Sequence, residues 1–272
     1  MKISSIICEY NPMHAGHKFH IQETLKNGAD KIIAVMSGEF VQRGDLAIYP
    51  FEERKKIALE NGIDEVIELP VRYVLSPAEE FAMGAVSILD SLGYVNELSF
   101  GSECGDLEVL KKAAELSERY TNSPEIKALL KSGLNYPRAM KELTQCDVFD
   151  TPNNTLAIEY LKSLKKLNSE IKPFTVKRNF EFESSSEIRE GLSGRSIYDF
   201  EDEILKKVRE ISLEDLRRIP NIGNQGLEYR IKKITKTAQT LDELFFGIKT
   251  KRYTMARIKR IVLCVYLGIY ND

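Results

Sequence analysis

The chain has 272 residues, enough for one large α/β domain with a small addition, and its 43% hydrophobic residues can supply a core. No apolar run approaches about 18 residues, and the first residues carry one lysine and a short apolar run that ends at Glu9, so neither a membrane span nor a signal peptide is expected. The net charge of −2 conceals an asymmetry, because residues 206–260 hold 15 lysines and arginines against 6 acidic residues, whereas the remainder holds 24 against 35.

Strand-like and helix-like patterns alternate along the first 100 residues. Apolar, β-rich runs occur at residues 4–8, 31–36, 64–69 and 97–101, and helical patterns lie between them at 16–26, 51–61 and 77–92. This alternation predicts βαβ units and a parallel sheet, whose ligands bind at the carboxyl ends of the strands. The tetrapeptide Ser76-Pro77-Ala78-Glu79 predicts a capping box at the start of the third helix.

The remaining patterns predict more helices and one further strand. Helical patterns follow at residues 107–120, 125–131 and 154–167, then a strand at 173–177 and a short helix at 187–192. From residue 197 onward every pattern is helical and short, and the charge changes sign near residue 195. We therefore predict an α/β domain with a Rossmann-like parallel sheet over residues 1–195, followed by a small, basic, helical region over residues 196–272.

The four cysteines, Cys8, Cys104, Cys146 and Cys264, stand apart without CxxC spacing. Scattered thiols of this kind predict neither a disulfide framework nor a zinc site. They favour a reducing compartment, so a cytoplasmic location is expected.

The only three histidines of the sequence, His14, His17 and His20, lie directly after the first strand. His14-Ala15-Gly16-His17 is an HxGH motif at a strand-to-helix turn. A helix N-terminus offers free N–H groups and the positive end of a dipole, and Gly16 lets a phosphate approach the backbone. Because imidazoles at i and i+3 share one side of the first turn, they can stabilise charge on phosphate oxygens. We predict that His14 and His17 are catalytic.

Two other interpretations of the histidines compete with phosphate binding. The first is helix capping and core packing. The second is a metal site, but at 3.6 residues per turn His20 points about 240° away from His14, so one ion could not readily collect all three rings. No metal site is therefore predicted.

The residues around the HxGH motif resemble those of a known family. The run CEYNPMHAGH at residues 8–17 is similar to the EYNPFHNGH signature of the tRNA(Met) cytidine acetate ligases, with Met13 and Ala15 in place of Phe and Asn. The run MSGEFVQRG at 36–44 resembles that family's MSGxFxQRG loop. Four later segments match in the same order: IELP at 67–70, FGSE at 100–103, PNN at 152–154 and KRYT at 251–254.

The resemblance implies that ATP adenylates acetate and that the acetyl group then passes to N4 of the wobble cytidine of elongator tRNA(Met). ATP is the implied nucleotide, with Mg²⁺ accompanying it. The run SSSEIR at 184–189 resembles the superfamily's second phosphate motif, SSTxIR, whose serine and arginine suit the β and γ phosphates. The implied ATP-binding residues are Ile7, Cys8, Glu9, Tyr10, Asn11, Pro12, Met13, His14, Ala15, Gly16, His17, Lys18, Phe19, His20, Gly101, Asn153, Arg178, Ser185, Ser186 and Arg189.

Two charged residues near the motifs have more than one interpretation. Arg43 could contact phosphate or RNA, or could cap a helix. Glu9 could orient a histidine, bind Mg²⁺ or fix the loop from within the protein.

The basic segment, residues 206–260, predicts a contact with a polyanion, here tRNA, although a solvated helical face has the same composition. The residues expected to contact tRNA are Lys232, Lys233, Lys251, Arg252, Arg257, Lys259 and Arg260. Tyr229 and Tyr253 could stack on unpaired bases or could belong to the core.

Two alternatives to the ligase remain open on the sequence. One is a nucleotidyltransferase that moves AMP or CMP onto a small phosphate ester. The other is a tRNA-binding protein with a vestigial ATP site. The basic segment disfavours the first, and the intact histidines, Gly16 and Arg189 disfavour the second.

Overall fold

The computed structural model describes residues 1–134, 136–178, 185–223, 226–251 and 253–271. The strands of these residues are β1 (Ile3–Cys8), β2 (Lys31–Ser37), β3 (Phe40–Val41), β4 (Asp45–Leu46), β5 (Glu65–Leu69), β6 (Glu97–Ser102) and β7 (Lys172–Lys177). The α-helices are α1 (Ala15–Lys26), α2 (Phe51–Glu60), α3 (Val71–Val74), α4 (Ala78–Ser91), α5 (Leu107–Tyr120), α6 (Pro124–Lys131), α7 (Tyr136–Thr144), α8 (Pro152–Lys166), α9 (Ser185–Glu190), α10 (Glu201–Glu210), α11 (Leu213–Arg218), α12 (Leu227–Ile234), α13 (Leu241–Ile248) and α14 (Met255–Leu267).

Five strands form a parallel sheet in the order β5-β2-β1-β6-β7, which confirms the predicted fold class. In its register, Ile6 of β1 lies between Ala34 of β2 and Ser99 of β6. The chain runs from β1 to β2 on one side and later returns to β6 on the other, so the strand order switches at β1. The loops after β1 and β6 therefore meet where open α/β sheets bind their ligands.

Helices cover both faces of the sheet, because its central strands are apolar on both sides. On one face Ile21 of α1 and Phe51 of α2 are buried against Ile6. On the other face α4, α5 and α8 bury residues such as Leu89, Leu110 and Ile158. Fully burying one such aliphatic side chain contributes about 1.5–3 kcal/mol, so these two layers hold the sheet, and with it the two loops, in place.

The helices after residue 196 enclose a core of their own. It begins at Ile197 and includes residues of α10 to α14, but Leu46 of β4 and Leu75 also belong to it. The domain boundary after residue 195 stays a prediction. The separate core of the helical region supports it. Within the described ranges, no helix combines the length and apolarity that crossing a membrane requires.

Predicted and observed helices and strands agree to within two residues where both exist. The sequence did not indicate the β3–β4 hairpin, α3 or α7, which are short: two residues for each strand, four for α3 and nine for α7. The predicted capping box was wrong: Pro77 occupies the N-cap of α4, and the Ser76 hydroxyl donates to the carbonyl of Arg72 at 2.7 Å. Because α3 ends just before Ser76, its free carbonyls are the nearer partners.

Candidate active site

A cavity of about 320 Å³ lies beyond the carboxyl ends of β1 and β6. The predicted ATP-binding residues that line it are Ile7, Cys8, Glu9, Tyr10, Asn11, His14, Gly16, His17, Phe19, His20, Gly101, Asn153, Arg178 and Arg189. The other predicted residues of the β1–α1 loop lie beside it. Pro12 is buried and Met13 packs on the core beneath α1, whereas Ala15 and Lys18 are exposed.

His14 and His17 form a reciprocal cap at the start of α1. The Gly16 N–H donates to Nδ1 of His14 at 3.1 Å, and the His14 N–H donates to Nδ1 of His17 at 3.3 Å. A backbone N–H can only donate, so both Nδ1 atoms accept and each neutral ring carries its proton on Nε2. The ring centroids are 3.8 Å apart. The cap therefore fixes two Nε2–H donors side by side on the wall of the cavity.

Burial keeps these imidazoles neutral. Desolvation lowers the pKa of His14, and the charges of Arg178 and Arg189 lower it further. The pKa of His17 lies well below its usual 6.5, again chiefly because of desolvation. Both rings therefore offer hydrogen-bond donors without bringing a full charge into the cavity.

His20 lies deeper than the other two histidines. Its Nε2 is 2.9 Å from the Ser99 hydroxyl, which in turn lies 2.7 Å from the hydroxyl of Thr24. This chain of polar contacts ties α1 to β6, directly beneath the cavity. Among the described residues, no group of three or more His, Cys, Asp or Glu side chains is arranged to hold a metal ion.

The buried His20 predicts a loss of stability in mild acid. Burial lowers the pKa of His20 from 6.5 to about 4, so the unfolded chain takes up a proton at a higher pH than the folded chain does. Stability is then lost as pH falls from about 6.5 toward 4. We expect His20 to contribute a fall of roughly 2 kcal/mol to the free energy of unfolding between pH 7.5 and 5, measured by urea titration of the parent against a variant without the ring.

His20→Gln is the matched variant for this experiment, because it keeps an amide near Ser99 and removes the ionisable ring. Its unfolding free energy should fall by roughly 2 kcal/mol less than that of the parent over the same pH range, and the acid loss that remains is assigned to His17 and His14, whose pKa values burial also lowers. An acid loss in His20→Gln equal to that of the parent would assign the effect to other groups.

The loop after β6 and the start of α8 are joined by hydrogen bonds in both directions. The Glu103 carboxylate accepts from the side-chain amide of Asn153 at 2.7 Å and from the N–H of Asn154 at 2.8 Å. In return, Oδ1 of Asn154 accepts from the N–H of Glu103 at 2.9 Å. Arg178 Nη1 lies 3.7 Å from Glu103 Oε1. Glu103, which the sequence did not single out as a site residue, thus orients two predicted ATP contacts, Asn153 and Arg178.

Three arginines from distant parts of the chain line the same cavity: Arg43 of the β3–β4 turn, Arg178 after β7 and Arg189 of α9. Arg189 Nη1 donates to the carbonyl of Asn11 at 2.7 Å. Burial lowers the pKa of Arg189, and the nearby charge of Arg43 lowers it further, so the cations repel one another. Their convergence suits a polyanionic ligand. Ser185 and Ser186 open α9, while Ser184 lies outside the described residues.

Glu9 and Arg54 hold the loops that carry these groups. Glu9 Oε1 accepts from the N–H of Gln42 at 2.7 Å, which favours the loop-fixing interpretation of Glu9. Arg54 of α2 is only 1% exposed and donates to carbonyls at the ends of two strands, Glu9 at 2.6 Å and Ser37 at 3.0 Å. Nothing in the local pattern around Arg54 indicates this role.

Part of the cavity wall is apolar. Phe81, Phe100, Leu156 and Tyr160 line it, and the rings of Phe100 and Tyr160 are 5.8 Å apart. On the sequence, these residues lie in predicted helices and strands, and none of them was predicted to belong to the site. Their helical or strand periodicity is typical of core residues and does not distinguish a pocket wall from a core.

The basic residues predicted to contact tRNA fall into two groups. Lys233 and Lys251 are exposed. Lys232 donates to the carbonyls of Arg209 and Ile211, both at 2.8 Å. The remaining described cations of this set bind oxygens of the protein: Arg257 binds the carbonyl of Asn221 at 2.8 Å, Lys259 binds Asp45 at 3.4 Å and Arg260 binds the carbonyl of Gln42 at 3.0 Å. Arg252 lies outside the described residues.

The two tyrosines differ in the same way. Tyr253 belongs to the core of the helical region, so the stacking interpretation is wrong for it. Tyr229 is 56% exposed and carries the guanidinium of Arg217 above its ring at 5.4 Å.

The parallel sheet, the switch-point cavity and the HxGH cap together define a member of the HxGH nucleotidyltransferase superfamily. A family model described as HIGH Nucleotidyl Transferase matches residues 1–198 and 183–272. The tRNA(Met) cytidine acetate ligase of Thermoanaerobacter sp. (strain X514) is 42% identical, over 99% of this chain and 79% of the relative. That of Clostridium perfringens (strain SM101 / Type A) is 38% identical, over 100% of this chain and 80% of the relative. The chain belongs to the family of tRNA(Met) cytidine acetate ligases.

Solved structures of Thermotoga maritima TmcAL are similar to this chain throughout. The form bound with alpha-thio ATP has a TM-score of 0.86 and 29% identity, covering 100% of this chain and 76% of that one. The apo form has a TM-score of 0.87 and 28% identity, covering 99% of this chain and 76% of that one.

Proposed function

We propose that this protein adenylates acetate with ATP and transfers the acetyl group to N4 of the wobble cytidine of elongator tRNA(Met). One observation carries the proposal: the two neutral imidazole donors of His14 and His17 line one cavity with Arg178 and Arg189. The names of the family members and the alpha-thio ATP bound to the Thermotoga maritima protein support the same substrates.

In the first step, a carboxylate oxygen of acetate attacks the α-phosphorus of ATP. The bond between that phosphorus and the oxygen bridging to the β-phosphorus breaks, and pyrophosphate leaves. Acetate is ionised at neutral pH, as carboxylates generally are, so no protein base is needed. Catalysis then consists of positioning and of stabilising the charge that develops on the phosphates.

The chain's own residues suit that requirement. The Nε2–H groups of His14 and His17 are held in fixed directions by the backbone bonds to their Nδ1 atoms. Neutral donors of this kind need no reorganisation when charge develops nearby. Arg43, Arg178 and Arg189 supply the positive charge that the leaving pyrophosphate requires, and guanidinium groups match phosphate geometry. The aromatic wall of Phe81, Phe100 and Tyr160 offers apolar surface to the adenine ring.

In the second step, N4 of the cytidine attacks the carbonyl carbon of acetyl-adenylate. The bond from that carbon to the AMP oxygen breaks and AMP leaves, while N4 loses one proton to solvent as the amide forms. RNA must therefore reach the cavity from the outside. We propose that exposed lysines of the helical region, Lys233 and Lys251, bind its phosphates, because the acidic remainder of the chain repels RNA.

Two further expectations belong to this proposal. Mg²⁺ accompanies ATP, since Mg²⁺ typically keeps several waters and binds substrate phosphates with few protein ligands. The enzyme works in the cytoplasm, where its four cysteines, all free in this structure, stay reduced.

The test of the function is exchange of labelled pyrophosphate into ATP, measured with and without acetate, followed by transfer of labelled acetate to total tRNA. We expect exchange of pyrophosphate only with acetate or a similar small carboxylate. We expect labelled acetate only on tRNA that carries the wobble cytidine. Nucleotide transfer to a small phosphate ester, without stimulation by acetate, would instead indicate the nucleotidyltransferase. Absence of ATP binding would indicate a vestigial site.

The RNA surface makes a separate prediction. The double variant Lys233→Gln/Lys251→Gln should weaken tRNA binding and make the slope of log K against log salt less negative by about 0.7–0.9 for each RNA phosphate that the variant no longer neutralises. Acetate-dependent exchange should persist, since that step needs no RNA. The matched control is Lys112→Gln/Lys131→Gln, which changes the charge equally on exposed residues of α5 and α6. Equal tRNA affinities for both variants would mean that the two lysines are merely solvated.

A further inference from the structure

The turn between β3 and β4 carries Gln42 and Arg43 into the wall of the cavity. The N–H of Gly44 donates to the carbonyl of Val41 at 2.9 Å and closes the turn, and Gly44 has a φ of +80°. Because the strands on either side are only two residues long, their pairing alone cannot hold the turn rigidly.

The peptide groups of Gln42 are instead held from two sides. On the sheet side, the N–H of Gln42 donates to Glu9 Oε1 at 2.7 Å. On the other side, Nη1 of Arg260, in α14 of the helical region, donates to the carbonyl of Gln42 at 3.0 Å. The residue next to Arg43 is thus clamped between the β1 loop and the helical region.

The backbone of α14 also lies directly against the turn. A Cβ added to Gly44 would lie 2.6 Å from Cβ of Lys259 and 2.9 Å from the backbone nitrogen of Arg260, so only glycine permits this approach. Asp45 is held by the same region, since it pairs with Lys259 at 3.4 Å and accepts from the N–H of Ile197 at 3.0 Å. Leu46 adds its side chain to the helical core.

We propose that Arg260 is a positioning residue for adenylation: by fixing the Gln42 peptide it holds Arg43 at the nucleotide cavity. The helical region is then part of the ATP site as well as a surface for RNA. This inference rests on the proposed function, but ATP binding alone can test it. Arg260 was expected from the sequence to contact tRNA, and its bond to Gln42 assigns it to the turn instead.

The test is a double-mutant cycle between Arg260→Met and Arg43→Gln. The readouts are the ATP dissociation constant, measured without acetate, and the KM for ATP and the rate in acetate-dependent exchange. Arg260→Met should raise the dissociation constant and KM about tenfold, because it removes a hydrogen bond from a charged donor to a positioned loop. In the Arg43→Gln background, the same change should add little, since the group that Arg260 positions is gone.

Further variants separate positioning from folding. Arg260→Lys keeps a cation and a donor and should recover most of the ATP affinity. If Arg260→Met does not fold, Arg260→Gln, which is shorter and uncharged, carries the same cycle. Arg230→Met is the matched control, because Arg230 donates to the carbonyls of Ile248 at 2.8 Å and Gly247 at 2.6 Å within the helical region. It should lower thermal stability while leaving ATP binding unchanged.

Additive effects of Arg260→Met and Arg43→Gln, or equal effects of Arg260→Met and Arg230→Met on ATP binding, would overturn the proposal. So would a loss of tRNA binding with normal ATP affinity, which would return Arg260 to the RNA surface. If the parent protein binds ATP but shows no acetate-dependent exchange, the ligase function fails. The double-mutant cycle measured on ATP affinity still tests whether Arg260 positions Arg43.

Discussion

Replacing His17 with alanine should lower the rate of acetate-dependent ATP–pyrophosphate exchange about 100- to 1,000-fold, the usual effect of removing one fixed donor to developing charge. The expectation follows from the cap on α1, where the backbone N–H of His14 occupies Nδ1 of His17 and leaves Nε2–H as the donor. Burial already lowers the pKa of His17 far below 6.5, so the exchange rate should show no ionisation of this ring near neutral pH.

The variant His17→Gln isolates the donor from the ring. Its amide can donate near the former position of Nε2–H, so we expect a rate clearly above that of His17→Ala. Gln22→Ala is the control, because Gln22 is exposed on the same helix, and it should exchange at the parent rate. If His17→Ala exchanged as fast as the parent, the phosphates would have to lie elsewhere, and the assignment of the cavity would be wrong.

The sequence was sufficient for the sheet, and it placed the centre of the candidate site at the HxGH motif. Strand and helix periodicity is a local property, and the HxGH motif combines cap, glycine and donors within four residues, so both could be recognised without tertiary information. Arg178 and Arg189 were predicted at the nucleotide only through the family resemblance and the general rule for switch points, and Arg43 was left open between phosphate, RNA and helix capping. No local pattern places residues so far apart in the chain on one wall.

The arginines and lysines of the helical region show where composition is insufficient. Lys232, Arg257 and Arg260 contribute to the basic charge of the segment, yet their side chains bind carbonyl oxygens of the protein. The sequence around an arginine does not show whether its guanidinium binds a distant carbonyl of the protein or a phosphate of RNA. Lys233 and Lys251, which are exposed, are the described members of the predicted RNA surface that remain available in this structure.

Arg54 is the strongest case of a residue that sequence reasoning missed, and it gives the largest expected effect on stability. Arg54→Met should lower the free energy of unfolding by about 3–5 kcal/mol, at the high end for single substitutions. The guanidinium donates to the carbonyls of Glu9, Ser37, Gly38 and Tyr49. Methionine fills much of the volume but leaves these carbonyls without their donor, and an unsatisfied buried polar group costs about 1–3 kcal/mol.

Urea titration at pH 7.5 measures this loss, and ATP affinity measured on the folded fraction shows whether the loops move. Arg54→Lys keeps the charge but has a single ammonium in place of the planar fork, so it should be intermediate in stability. Arg72→Met, at an exposed position of α3, should stay within about 0.5 kcal/mol of the parent. A loss below about 1 kcal/mol for Arg54→Met would mean that water replaces the guanidinium at these carbonyls. The ends of β1 and β2 would then be held mainly by the sheet register and by the bond between Glu9 and Gln42.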